Sequence, residues 1–292
     1  MKFVKQLNKL LNHPLNKRRR ILTFFKILWW KFNQLFLKIP AIIQMTENAK
    51  LICYPNNSYG SFVVYANFPE YEELNFINKI ISNGDTVLDV GANIGSESIL
   101  AASKGEKVKV FAFEPTTNLI PLLQDNIAIN GFNKRIKCVK KAVSNKNGTL
   151  QFVLEPESEI NHIASKVTKN TNVETVECVT LDTFINSNRI NCVDLLKVDV
   201  EGAELLVFEG CKKSLRNKVI NIILFEVNEK TADFGYSSKE LISYLAKKKY
   251  FIFRFEKDKL TLINENMKVA ETINLVAVQK NPNVIKKIIE FL

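Results

Sequence analysis

VLDVGANIGSESIL, residues 87–100, sets an apolar run, an acid and a short glycine turn directly ahead of a segment with helical make-up. The run through Asp89 reads as a buried strand. Gly91 frees the next backbone step for positive φ and for close approach to a bound group. With Ala92, Asn93 and Gly95 it forms the turn, and the helix that follows offers free N–H groups and a positive dipole end. The dinucleotide pattern G-x-G-x-x-G is absent, because Asn93 and Ser96 hold the second and third glycine positions. A pyrophosphate cradle is therefore disfavoured against a ligand that brings a carboxylate or a ribose. Taken alone, the turn also fits plain strand–turn–helix packing.

Outward from this turn the chain alternates. VKVFAFEP (108–115) reads as a strand stopped by Pro115, TNLIPLLQDNIAINGF as a helix with Pro121 in its first turn, and RIKCVKKAVS as a strand. NCVDLLKVDVEG, AELLVFEGCKKSLRN, VINIILFEVN, SSKELISYLAKKKY, YFIFRFEKDKL and INLVAVQK continue as strand, helix, strand, helix, strand and strand. Such alternation predicts an α/β, doubly wound, mostly parallel sheet covered on both faces, with functional residues at the carboxyl ends of the strands. Upstream, 51–70 reads as short strands (LICYP, FVVYAN) with turn residues, and EYEELNFINKIISNG as a helix. At 145–186 an insertion interrupts the alternation. NGTLQFVLEP and VETVECVTLDTFI read as two extra strands around a polar stretch, placed to form a rim over the site.

The strand ends carry the chemistry. Glu114 closes FAFEP where an acid can accept hydrogen bonds from two ribose hydroxyls. Asp199 and Glu201, two apart in KVDVEGAEL, project to one side. They are candidates for a general base or an anchor of an acceptor hydroxyl. Glu204 in the next helical turn reads instead as a partner for backbone N–H groups. Asn161 and His162 lie in the polar stretch. His162 is either an ordinary loop histidine or a catalytic base or substrate contact, and Asn161 is a candidate substrate contact. No complete set of metal ligands is readable, and the two histidines, His13 and His162, exclude a histidine-based zinc site.

These blocks, VLDVGANIGSESI, FAFEP, KKAVSNKNGTLQF, VTLDTF, VDLLKVDVEGAELLVFEG and ILFEVNE, occur in order and at strand ends. The chain from about residue 55 to 280 resembles the FkbM family of S-adenosylmethionine-dependent methyltransferases. The resemblance implies a seven-stranded Rossmann-like methyltransferase sheet with a β insertion after the third strand, and O-methylation of a hydroxyl on a sugar, glycan or related metabolite. It implies that Asp89, Gly91, Ala92, Asn93 and Gly95 hold the methionine part of S-adenosylmethionine and that Glu114, with Pro115 behind it, meets the ribose. Ala142 and Val143 would flank the adenine, Asp199 and Glu201 would lie beneath the methyl group, and Glu226 and Asn228 would meet the acceptor. Asn130 is expected to be structural. Many members carry an aromatic residue after GANIG, where this chain has Ser96-Glu97. Two other readings of the same residues are a non-catalytic nucleoside-binding protein on this fold and an NAD-dependent dehydrogenase, which the missing glycine pattern disfavours.

The net charge of +11 is concentrated. Residues 1–50 hold eleven Lys or Arg and one acid, Glu47, so the remainder is nearly neutral. This separates a basic extension, 1–45, from a methyltransferase-like domain, 46–292, in which 46–83 forms N-terminal strands and helix. Within the extension, Lys17-Arg18-Arg19-Arg20 precede ILTFFKILWWKFNQLFLKIPAII, residues 21–43. Lysines 26, 31 and 38 break it too often for a membrane span of about 20 apolar residues. On a helical wheel Thr23, Lys26, Lys31, Asn33, Gln34 and Lys38 share one arc and most apolar residues the other, with Ile27, Trp30 and Leu37 breaking the pattern. The pattern fits peripheral membrane contact through 17–43. It equally fits a helix packing on its own domain or a second copy, and a nucleic-acid partner is not expected. The odd set of five cysteines without a CxxC pair reads as free thiols in a reducing cytosol, placing the protein in the cytoplasm or at the inner membrane face.

Overall fold

The computed structural model describes residues 10–154, 161–163, 172–257, 259–264, 267 and 272–292. Most of the polar stretch around His162 therefore lies outside the described residues.

The chain opens with helix α1 (Arg20–Phe32), continued by a π-helical turn at Asn33–Leu37, and then a hairpin of β1 (Ala41–Thr46) and β2 (Ala49–Cys53). Helix α1 inverts the usual arrangement. It packs on the domain through Thr23, Ile27 and Trp30, with Asn33 buried below, while Ile21, Phe25, Trp29 and Phe32 face outward. Of the three residues that broke the helical wheel, Ile27 and Trp30 join the core, and Leu37 is exposed. Trp30 Nε1 donates to Ser61 Oγ at 2.9 Å, which satisfies the one polar atom of a ring otherwise wholly buried.

Helix α2 (Ser58–Ala66) occupies FVVYAN, expected as a strand. The Asn57 side chain accepts from Gly60 N, and this cap starts a helix that the β-branched Val63 and Val64 would not favour on their own. Helix α3 (Tyr71–Ile80) follows. Strands and helices then alternate as β3 (Thr86–Val90), α4 (Ser96–Ala102), β4 (Lys109–Phe113), α5 (Ile120–Ile129) and β5 (Ile136–Val139). Asn130 fastens the hairpin to this body. Its amide donates to Lys50 O at 2.7 Å and accepts from Lys50 N at 3.0 Å, a structural role as expected.

The insertion joins β6 (Ala142–Val143), just before it, in a second sheet with β7 (Gly148–Val153), β8 (His162–Ile163) and β9 (Val173–Val179), in the order β6-β9-β7-β8. The tail of VETVECVTLDTFI is not strand. Thr180 caps helix α6 (Leu181–Ser187) by accepting from Thr183 N. Next come β10 (Val193–Val198), two short helices α7 (Glu204–Gly210) and α8 (Lys212–Arg216) in place of the single one expected, β11 (Ile220–Val227) and α9 (Ser238–Lys247). YFIFRFEKDKL is a hairpin rather than one strand, β12 (Tyr250–Glu256) with β13 (Lys259–Leu262); β14 (Ile273–Gln279) and α10 (Pro282–Lys286) close the chain.

The main sheet runs β13-β12-β14-β11-β10-β3-β4-β5. The five strands from β11 to β5 are parallel and β14 inserts antiparallel beside β11. The seven-strand Rossmann-like sheet is thus present, with β13 as an eighth strand from the hairpin. Alternating side chains divide the core in two: Val87 joins one apolar cluster, Leu88 and Val90 the other. At the amino ends of β3 and β10, Lys287 bridges Asp85 at 2.9 Å and Asp194 at 3.1 Å. All five cysteines are free thiols, three of them buried.

Candidate active site

A cavity of about 360 Å³ opens where the parallel strands end, the place where open α/β sheets bind ligands. Its wall brings together Gly91 and Asn93 after β3, Glu114 and Pro115 after β4, and Ala142 and Val143 of β6. Asp199 and Glu201 after β10, Glu226 of β11 and Asn161 of the insertion also line it. Asp89, Ala92 and Gly95 support the turn from behind the wall. His162 and Asn228 are not among the lining residues, although His162 lies near enough to Glu201 to favour its ionised form. Asn228 instead donates to Glu226 at 2.6 Å and accepts from Lys230 N.

The turn after β3 is held by its neighbours. Gly91 has φ +81°, and a Cβ there would lie 1.9 Å from the Asp199 carbonyl oxygen, so two strand ends meet over a bare backbone. Asn93 also takes positive φ, and its N–H donates to Glu114 at 3.1 Å. The other Glu114 oxygen accepts from the Thr116 N–H at 3.0 Å and hydroxyl at 2.6 Å. Burial pushes the Glu114 carboxyl up to about 6 against these bonds, which favour its ionised form. Ser98 donates to one oxygen of Asp89 at 2.6 Å. The second Asp89 oxygen and the Asn93 side-chain oxygen are buried without a hydrogen-bond partner among the described residues, acceptors that a donor-bearing ligand would complete.

Sequence reasoning missed Lys197. Register pairs it with Asp89 across β10 and β3. Its ammonium donates to Gly91 O at 2.9 Å and lies 3.7 Å from Asp89 and 3.6 Å from Asp199. Burial alone would lower its pKa, but Asp199, Glu97, Asp89 and Glu70 together outweigh that and raise it, so the lysine stays charged. It ties the glycine turn to both strand-end acids. The only signal available was a lysine inside the apolar run VDLLKV.

The wall also contains groups from the N-terminal region. Glu70, Glu97 and Tyr59 line it, as do Leu10 and His13 of the extension. The Tyr59 hydroxyl is 2.8 Å from Ser96 Oγ. An aromatic ring thus reaches the cavity from α2, while the position after GANIG holds serine and glutamate. Burial, with Glu73 and Glu97 nearby, holds Glu70 well above the usual carboxylate range. The whole cavity carries more carboxylates than ammonium groups.

At the far end, one oxygen each from Asp199, Glu201 and Glu226 lie within 4.8 Å of one another. Glu201, in a positive-φ turn, is engaged by Lys230 at 2.8 Å. Burial, then Asp199 and Glu201, push Glu226 up to about 8. Three carboxylates at this spacing can share a proton near neutral pH or present oxygens to one hard cation. Glu204 plays the bland part expected: its carboxylate accepts from Gly202 N at 3.1 Å and Val200 N at 3.3 Å, fixing the turn behind the site.

Against known proteins, the model of the Methyltransferase FkbM domain matches residues 89–252. The methyltransferase sdnD of Sordaria araneosa is 27% identical over 167 residues, 47% of this chain and 64% of that protein. The hexuronic acid methyltransferase AglP of Haloferax volcanii is 26% identical over 168 residues, 56% of this chain and 63% of that protein. The 2-O-methyltransferase NoeI of Sinorhizobium fredii is 25% identical over 147 residues, covering 44% and 58%. The chain therefore spans just under two thirds of the length of these curated relatives.

Proposed function

The chain belongs to the FkbM methyltransferase family, and from that premise we propose that it transfers a methyl group from S-adenosylmethionine to a hydroxyl of a sugar-like acceptor. The observation that carries this reading is one cavity shared by the Gly91 turn, Glu114 and the carboxylates at 199, 201 and 226. S-adenosylmethionine fits the residues present. Its sulfonium and α-ammonium groups are positive, and the cavity holds a surplus of buried carboxyls that a cation relieves. The Asn93 side-chain oxygen, in the cavity wall and without a hydrogen bond among the described residues, suits its ammonium, and the free acceptor capacity of Glu114 suits ribose hydroxyls. When bound, the cofactor supplies an electrophilic methyl group on sulfur.

The chain's own residues then orient the acceptor and take its proton. Asp199, Glu201 and Glu226 all face the cavity, and Glu201 is already engaged by Lys230. In this reading Asp199 accepts the hydrogen bond of the attacking hydroxyl, and the Asp199–Glu226 pair holds the proton released. A carboxyl poised near neutrality is suited to that exchange. The relatives that act on a hexuronic acid and at a 2-O position favour a sugar hydroxyl over nitrogen or carbon acceptors.

The test is methyl transfer from labelled S-adenosylmethionine to hexuronic acids and their glycosides, alongside calorimetric titration of the cofactor. Asp199→Asn should bind the cofactor and lose about 10²–10⁴-fold in turnover. No cofactor binding at sub-millimolar concentration sinks the enzyme reading. Transfer abolished by a chelator and restored by magnesium would move the proton-handling role to a cation on Asp199, Glu201 and Glu226.

A further inference from the structure

The outward face of α1 has no counterpart in the catalytic site, and it is the least ordinary surface of the molecule. Ile21, Phe25, Trp29 and Phe32 project from the helix, and Leu35 and Phe36 extend the face through the π-helical turn. Ile21 is 76% exposed and Leu35 70%. A contiguous stripe of this kind marks an interaction surface. Lys17, Arg18, Arg19, Arg20, Lys31 and Lys38 are exposed in the same segment, and no acid occurs in residues 10–46. Among the described residues no helix is long and apolar enough to cross a membrane.

We propose that α1 and the turn after it dock the protein in-plane on an anionic bilayer surface. Large aromatic and aliphatic side chains enter the acyl boundary, and the arginines and lysines meet anionic head groups. The charge decides between occupants. A second copy would bring the same cations against these, whereas an anionic surface neutralises them. The helix is braced for this use, because Ile27 and the Trp30–Ser61 bond fix its opposite face to α2. Helix α2 supplies Tyr59, and the extension supplies Leu10 and His13, to the cavity wall. The inference holds whether or not the chain transfers methyl groups.

The experiment is co-sedimentation of the full chain with vesicles of phosphatidylcholine, alone or mixed with phosphatidylglycerol, with sedimentation equilibrium on the free protein. The expected result is binding to the anionic vesicles, weakened by salt and lost at least tenfold in Phe25→Glu/Phe36→Glu. That variant should keep the wild-type melting temperature, since both side chains are exposed. Arg18→Glu/Arg19→Glu, further from the apolar stripe, should also lose binding. Absence of vesicle binding, equal binding to neutral vesicles, or binding unchanged in Phe25→Glu/Phe36→Glu would overturn the proposal. So would a dimer that this variant dissociates, which would assign the face to a second copy.

Discussion

Two lysines each bridge two aspartates on the same pair of strands, one at either end. At the amino end Lys287 joins Asp85 and Asp194 at 2.9 and 3.1 Å. At the carboxyl end Lys197 sits 3.7 and 3.6 Å from Asp89 and Asp199, and its close bond goes to the Gly91 carbonyl instead. The first arrangement is closed and partly open to solvent. In the second, Lys197 and Asp89 are buried while Asp199 is partly exposed, and one Asp89 oxygen is left without a hydrogen bond. Similar side chains thus make a staple at one end of the sheet and a receptive site at the other. What differs is whether the carboxylates have used up their bonding capacity within the chain.

Exchanging each lysine for methionine is the severest test of that contrast. Lys197→Met strips the cation from two acids of a buried cluster and should cost about 3–5 kcal/mol of stability, with cofactor binding lost. The readouts are denaturant unfolding and calorimetry. Asp89→Asn should leave stability nearly unchanged, because it removes a poorly hydrated charge. It should weaken S-adenosylmethionine binding by about 1 kcal/mol, because Asp89 acts on the cofactor only through the Lys197 that it holds against the Gly91 turn. Lys287→Met should cost about 1–2 kcal/mol of stability and leave the cofactor dissociation constant where it was. Equal effects of the two lysine substitutions on cofactor binding would erase the distinction.

The smallest effect concerns pH. Asp89 and Glu114 are pushed up to about 6 and Glu226 to about 8, each first by burial. Carboxyls with raised values contribute stability that is present below about pH 4 and lost as pH rises through 6 to 8. The free protein should therefore melt at lower temperature at pH 8 than at pH 6. The ionised forms attract a cation, so affinity for S-adenosylmethionine should rise several-fold over the same window. S-adenosylhomocysteine, without the sulfonium charge, should gain less. Titrations of both ligands at three pH values check this.

The carboxyl-end half of the sheet was legible because apolar runs and glycine turns mark strand ends directly. Asp89, Glu114, Asp199 and Glu226 are all last or near-last residues of such runs. Lys197 was not, because its meaning depends on the register of β10 against β3, a relation between segments far apart in the chain. Glu70, Glu97 and Tyr59 share that difficulty. In α1 the wheel separated polar from apolar arcs correctly, yet gave no sign of which arc the domain covers. The answer lay in Ile27 and Trp30, which disturbed the pattern because they serve a different contact. In α2 the side chains Phe62, Val63, Val64 and Tyr65 have strand character, and the local cap at Asn57 prevailed.

Leu10 and His13 share a cavity with Glu226. During synthesis the earliest part of that wall leaves the ribosome well before β10 and β11 exist, and must wait for them. Contacts of such long sequence separation form slowly, and the apolar stripe of α1, which faces outward in the folded chain as well, is on display throughout that interval. A bilayer or a chaperone that takes up the helix early would hold the first piece of the chamber in place until the last strands arrive.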